Sequence, residues 1–165
     1  MDTQNPTAPT ASQMLQLDQQ LCFALYSTSL TMTKVYKPLL KPLGLTYPQY
    51  LVMLALWEQD QQTVTAIGDA LYLDSGTLTP LLKNLEAQGF LSRARSVDDE
   101  RKVMIRLTAH GRATKRRAAT IPRCVAEASA TTVSELSELN RRIQALRAAL
   151  HTQPSRPSRR KAATA

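Results

Sequence analysis

The sequence predicts a mainly helical fold built around two helices joined by a tight turn, with a β-hairpin behind them. Three observations predict it. Only 5 % of the 165 residues are aromatic and only five are glycine, a composition that favours helices over a sheet-rich chain. Two apolar-periodic segments flank Leu73-Asp74-Ser75-Gly76-Thr77, a turn rich in cap-forming residues. Farther on, Val103, Ile105 and Leu107 alternate with Met104 and Arg106, the period of two that marks a strand.

Residues 1–12 are polar, contain Pro6 and Pro9, and read as a disordered arm without the basic start and apolar middle of a signal peptide. No apolar run approaches the ~20 residues of a membrane span, so the expected location is the cytoplasm. From Gln13 to about Lys37 the pattern is helical, with Leu17, Leu21, Leu25 and Met32 on one stripe and Pro38 ending it. Thr46 and Gln49 have capping-box spacing and open a second helix, with Leu51, Leu54 and Ala55 as its expected apolar face. Asp60 to Gln62 is a polar break. A short helix from about Thr65 to Tyr72 follows, and after the turn a third runs to Gln88 with Leu78, Leu81, Leu82 and Leu85 inward. Pro80 is expected to open its first turn, and Gly89 to cap its end.

Phe90–Arg95 and Val103–Leu107 read as two strands joined by the charged tip Ser96–Lys102. Two helices and a tight turn form a helix-turn-helix, and the hairpin behind it makes a winged helix. Thr108 caps the next helix, and Pro122 breaks it. A last helix carries Val125, Ala128, Leu136, Leu139, Ile143, Leu146 and Leu150 as an apolar seam. From Gln153 the tail is basic and reads as disordered. Residues 13–152 thus form one winged-helix domain. Its DNA-binding lobe spans 46–107, and helices at 13–45 and 108–152 form a dimerisation region. A chain this small offers those outer stripes little core of its own, so a two-fold homodimer is expected.

The formal charge of +8 is segregated. Residues 1–90 carry net −3 and residues 91–165 net +11, a distribution that draws phosphate backbones. The third helix is expected to turn Ser75, Thr77, Thr79 and Lys83 outward, where they can meet base edges or phosphates of double-stranded DNA. At the hairpin tip Arg101 follows Asp99, so a carboxylate can hold a guanidinium aimed into a minor groove. Arg93, Arg95, Lys102 and Arg106 flank it.

There are two cysteines, Cys22 and Cys124, with no zinc-binding spacing around them. No metal or other cofactor is implied. A cysteine in an apolar stretch is by default inert and buried. Reactivity requires a thiolate stabilised by donors, a cation or a helix N-terminus. Cys22 reads as about two turns into its helix, where the dipole contributes little, and no Lys or Arg is local to it. The available donors are the phenols of Tyr26, Tyr36 and Tyr47, whose approach depends on the fold. The residues alone leave the inert and the reactive readings open.

The runs LCFALY at 21–26, YKPLLKPLGLTYPQYLVMLALWE at 36–58, LDSGTLTPLLKNLEAQGF at 73–90 and DDERKVMIRLTAHG at 98–111 resemble the MarR family of winged-helix repressors. The cysteine in LCFALY together with YPQY resembles the organic hydroperoxide sensors within it. The resemblance covers about residues 15–150. It implies that Cys22 is the peroxide-reactive cysteine and that Tyr36 and Tyr47 donate hydrogen bonds to its thiolate. It further implies that Cys124, in IPRCV, is the resolving cysteine of the two-cysteine subgroup, acting from the other subunit. An intersubunit disulfide would then move the wings apart from a palindromic operator, and thiol reductants would reset the protein. Other readings stay open. One is a repressor of the same fold released by a small aromatic ligand, with both cysteines incidental. Another is a thiol peroxidase, for which no catalytic arginine stands beside Cys22. A third is an architectural nucleic-acid binder relying on the basic half.

Overall fold

A computed structural model describes residues 13, 15–95 and 102–152. The N-terminal arm, the hairpin tip with Asp99 and Arg101, and the basic tail from 153 lie outside the described residues. The chain divides into two units at Ile121/Pro122.

In the first unit, a 3-10 turn at Leu17–Gln19 leads to helix α1, Leu21–Leu40. The expected start at Gln13 is therefore about two turns too early. Gln20 is extended (φ −87°, ψ 110°) and occupies the N-cap position. The expected stop at Pro38 is also corrected, because Pro38 lies inside α1. Leu40, fully buried, carries the helix past the proline. A 3-10 turn at Lys41–Leu43 and Gly44 in the left-handed region (φ 71°) then end it. Gly44 can adopt that conformation without the Cβ penalty.

Helix α2, Tyr47–Glu58, begins where its capping residues place it. The Gln49 Oε1 accepts from the Thr46 N–H at 2.8 Å and from the Thr46 hydroxyl at 3.0 Å. Its buried face differs from the expected one. Tyr50, Val52, Met53, Leu56 and Trp57 are buried, whereas Leu54 is exposed and Leu51 and Ala55 are half-buried. Strand β1, Gln62–Thr63, occupies part of the segment read as a polar break. Thr63 ends β1 and also N-caps helix α3, Val64–Leu71, by accepting from the Ala66 N–H. After the turn, Asp74 caps helix α4, Ser75–Ala87. Pro80 does not open α4. The Leu78 N–H reaches the Asp74 carbonyl at 3.0 Å, and the helix runs unbroken. Only the carbonyl one turn before Pro80 loses its donor.

Strands β2, Leu91–Arg95, and β3, Val103–Leu107, pair antiparallel with Arg93 opposite Ile105. β1 pairs with the other edge of β3, Gln62 opposite Ile105, giving sheet order β1-β3-β2. The hairpin is thus part of a three-stranded sheet. Leu78, Leu82 and Leu85 of α4, Ile67 of α3 and Ile105 of β3 are fully buried. Helix α5, Ala109–Ala118, belongs to this unit: the Trp57 indole N–H donates to the Gly111 carbonyl at 2.9 Å.

The single last helix expected from the sequence is two. Helix α6, Ile121–Ala128, and helix α7, Val133–His151, are separated by a turn in which Ala130 has φ 50°. Thr132 caps α7 in a capping box with Glu135, a local signal strong enough to start a new helix. Of the apolar seam, Val125 is buried and Leu136 half-buried, whereas Leu139, Ile143, Leu146 and Leu150 are exposed.

Candidate functional site

The winged-helix surface is held by three polar clamps. Asp74 accepts from the Thr77 N–H at 2.9 Å and from its hydroxyl at 3.0 Å, and these bonds hold the Asp74 carboxyl below the usual carboxylate range. Ser75, Thr77 and Lys83 are exposed along α4, as expected, but Thr79 is half-buried. Arg93 is engaged as well. Its backbone N–H and its Nε both donate to the Glu86 carboxylate, at 2.9 and 2.7 Å, which ties β2 to the end of α4. Arg95, Lys102 and Arg106 are exposed around the same sheet.

The third clamp escaped the sequence reading. Asp60, taken there as part of a polar break, accepts from the Leu107 N–H at 2.8 Å, and Arg112 reaches it at 3.1 Å. The same Arg112 nitrogen donates to the Leu107 carbonyl at 2.7 Å. Asp60 and Arg112 therefore fix the base of the hairpin. The only sequence hint was an aspartate beside a break, which also fits a solvated loop.

Around Cys22 the structure corrects one expectation and sharpens another. Cys22 is the second residue of α1, not two turns inside it, and it is exposed. First-turn N–H groups lack intrahelical partners, and the positive end of the helix dipole favours an anion there. Tyr26 lies one turn farther on and is exposed. Tyr36 lies fourteen residues along the same helix, about 21 Å at 1.5 Å per residue. Tyr36 and Tyr47, by contrast, are brought together, with ring centroids 4.7 Å apart. Tyr50, not singled out in the sequence, extends the cluster at 5.9 Å from Tyr36 and 6.1 Å from Trp57. Burial, then the neighbouring Tyr47 and Tyr50, push the Tyr36 hydroxyl up to about 12. Burial also raises Tyr47 and Tyr50 above their ordinary value. The three phenols therefore keep their protons, and so their capacity to donate, throughout the neutral range.

Tyr47 also lines a cleft of about 550 Å³ together with Thr33, Lys34, Lys37, Lys41 and Pro48. Cys124 is half-buried in α6. Phe23, Tyr26 and Leu30, spaced i, i+3 and i+7 on one face of α1, are exposed at 38 %, 62 % and 50 %. Contiguous apolar exposure of this kind marks a contact surface. Among the described residues no His, Cys, Asp and Glu group could hold a metal ion, and no helix is long and apolar enough to cross a membrane.

The comparisons agree with this architecture. The sequence pattern of a family described as transcriptional regulator SarA/Rot matches residues 34–117. The organic hydroperoxide resistance transcriptional regulator of Bacillus subtilis is 48 % identical over 137 residues, covering 83 % of this chain and 93 % of its own. Reduced AbfR bound to DNA superposes with a TM-score of 0.72 at 36 % identity, covering 86 % of this chain and 96 % of that one. The disulfide form of AbfR, a protein of Staphylococcus epidermidis, gives 0.59 at 37 % identity, covering 82 % and 95 %. The chain belongs to the MarR family of winged-helix transcriptional regulators, alongside the organic hydroperoxide resistance regulators.

Proposed function

We propose that this protein is a homodimeric, DNA-binding repressor that senses organic hydroperoxides at Cys22 and releases a palindromic operator when oxidised. The observation that carries the reading is the separation within one chain of Cys22 from the paired Tyr36 and Tyr47. Both ends lie on α1, which also exposes an apolar stripe. A two-fold axis crossing α1 near Ser29, midway between residues 22 and 36, buries that stripe against a second copy. It also sets Cys22 of one copy opposite Tyr36 of the partner subunit, twice per dimer. Each sensor is complete only in the dimer. The partner's phenols then supply the donors that a thiolate needs.

The chemistry balances with the peroxide alone. The Cys22 thiolate attacks the outer oxygen of ROOH, the O–O bond breaks, and ROH leaves after taking a proton. The product is a Cys22 sulfenic acid. The thiol of Cys124 of the partner subunit displaces its hydroxyl as water and forms an S–S bond. Thiol reductants return both cysteines to thiols. The disulfide form known for AbfR supports this step. Operator contacts would come from Ser75, Thr77 and Lys83 on α4 and from Arg95 and Lys102 beside the hairpin. Arg93 would act from its Glu86 clamp, Thr79 from its half-buried position, and Asp99 and Arg101 at the tip. DNA in complex with AbfR supports this use of the fold. A regulator of this kind works on the chromosome, in the cytoplasm.

A second reading draws on the lysine-lined cleft beside Tyr47, which fits a small organic anion as the releasing ligand. One experiment separates the two. The reduced protein is bound to a palindromic duplex, treated with cumene hydroperoxide, and run in parallel on a gel shift and a non-reducing gel. The redox reading expects loss of the shift together with a dithiothreitol-sensitive dimer band, both absent in Cys22→Ser. Peroxide-driven release in Cys22→Ser would overturn it.

A further inference from the structure

Gln49 lies between Tyr47 and Tyr50, and its side chain does two things at once. Its Oε1 takes the Thr46 N–H and hydroxyl, closing the first turn of α2. Its Nε2 donates to the Asn84 Oδ1 at 2.8 Å, across to α4. The residue is only 4 % exposed, so its carboxamide is committed to these partners and not to water. Pro48 fixes φ in the same turn. Thr46 to Gln49 therefore moves as one stiff piece, with Tyr47 on one side of it and the bond to Asn84 on the other. Asn84 directly follows Lys83 on the exposed side of α4.

We propose that Gln49 is a positioning residue that couples the redox site to the DNA-reading helix: displacement of Tyr47 on oxidation is carried by the Thr46–Gln49 turn to Asn84, and so to α4. The proposal rests on the reading of Tyr47 as part of the peroxide site. Apolar contacts between α2 and α4 tolerate sliding, because dispersion is non-directional. A hydrogen bond weakens steeply once its partners leave a narrow range of distance and angle. The bond to Asn84 thus transmits a shift that the surrounding leucines absorb.

The test uses the full-length chain, cumene hydroperoxide, and a labelled palindromic duplex selected from a random pool on the reduced wild-type protein. Two quantities are read: the ratio of oxidised to reduced Kd, and the rate of Cys22 sulfenic acid formation, trapped with dimedone. Asn84→Ala removes the acceptor while leaving the capping turn intact, and Asn84→Asp keeps an oxygen there. The expected result is that Asn84→Ala lowers the Kd ratio about tenfold and Asn84→Asp restores it, with the dimedone rate unchanged in both. The double variant Gln49→Glu/Asn84→Asp sets two carboxylates face to face and is expected to lose the ratio as Asn84→Ala does. It provides the same reading if Asn84→Ala folds poorly. An unchanged ratio in Asn84→Ala, or reduced-state affinity falling with the ratio intact, would overturn the coupling and leave the sensor standing. A wild-type protein that keeps its DNA on oxidation would overturn both.

Discussion

The Trp57 indole N–H donates to the Gly111 carbonyl across 54 residues of sequence, and the Lys115 ammonium returns a bond to the Trp57 carbonyl at 2.7 Å. α5 is held on α2 by this exchange, while the Gly111 Cα faces the backbone of Phe90. A Cβ at Gly111 would be driven into the Phe90 carbonyl, which is backbone and cannot swing aside.

Gly111→Ala is therefore expected to destabilise the protein by about 3 kcal/mol, the upper part of the range for overpacking. Trp57→Phe keeps most of the apolar bulk but removes a second donor from a carbonyl that α5 also satisfies, an effect of about 1 kcal/mol. Thermal or urea unfolding measures both. A Gly111→Ala protein as stable as wild type would contradict the close approach.

Glu86→Ala frees both the guanidinium and the backbone N–H of Arg93. The pair is partly exposed, so the stability loss is expected to stay below about 1 kcal/mol. The clear signal is local: amide exchange at Arg93 should accelerate while exchange at Ile105 stays slow. The Arg93 hydrogen bonds depress the Glu86 carboxyl, so the clamp holds above the ordinary carboxylate range. It is lost as pH falls through the lowered folded value.

Alkaline titration followed at the tyrosinate absorbance should show Tyr36 ionising at about 12, above the ordinary phenol value of 10.0. The folded value exceeds the unfolded one, so the unfolded chain binds fewer protons between the two. The contribution of Tyr36 to stability is complete below about pH 10 and declines as pH rises through the folded value. Tyr47→Phe and Tyr50→Phe each remove a neighbouring charge that would form, so each should lower the Tyr36 midpoint.

Lys83→Ala is expected to weaken operator and random-sequence DNA alike and to reduce the slope of log K against log salt by about one. Ser75→Ala should leave the slope unchanged and act on the operator alone if the hydroxyl reads a base edge. Anisotropy titrations at several salt concentrations separate the two. An unchanged slope for Lys83→Ala would remove it from the phosphate contacts.

Much of the winged helix was legible because its signals are local. Thr46, Asp74 and Thr108 are caps, and Val103 to Leu107 alternates cleanly. The misreadings have a common cause in tertiary burial. Pro38 reads as a stop, but Leu40 is buried and draws the helix onward to Gly44. Leu51 and Leu54 read as core on α2, yet the buried face contains Tyr50, Val52 and Met53, which period alone could not select. β1 has two residues and no pattern, and it exists because β3 offers it an edge. Of the candidate redox site, the residue types were legible in LCFALY and YPQY. The separation of Cys22 from Tyr36, about 21 Å, was implicit in one helix read from Gln13 to Lys37. The pairing of Tyr36 with Tyr47 was not, because it follows from how α2 packs back on α1.

The two residues of β1 bear on how operator preference can change. Thr63 pairs with Met104 at the root of the hairpin and caps α3 at the start of the helix pair. Because Thr63 serves both, a slip of β1 along β3 would carry the start of α3 with it, so hairpin and helices are inherited as a single block. Within such a block, substitutions on the exposed side of α4 can retune which half-site is read. On the dimer proposed above, the spacing between two half-sites is set by the helices outside it. On that reading, sequence preference can drift among relatives while the half-site spacing is kept.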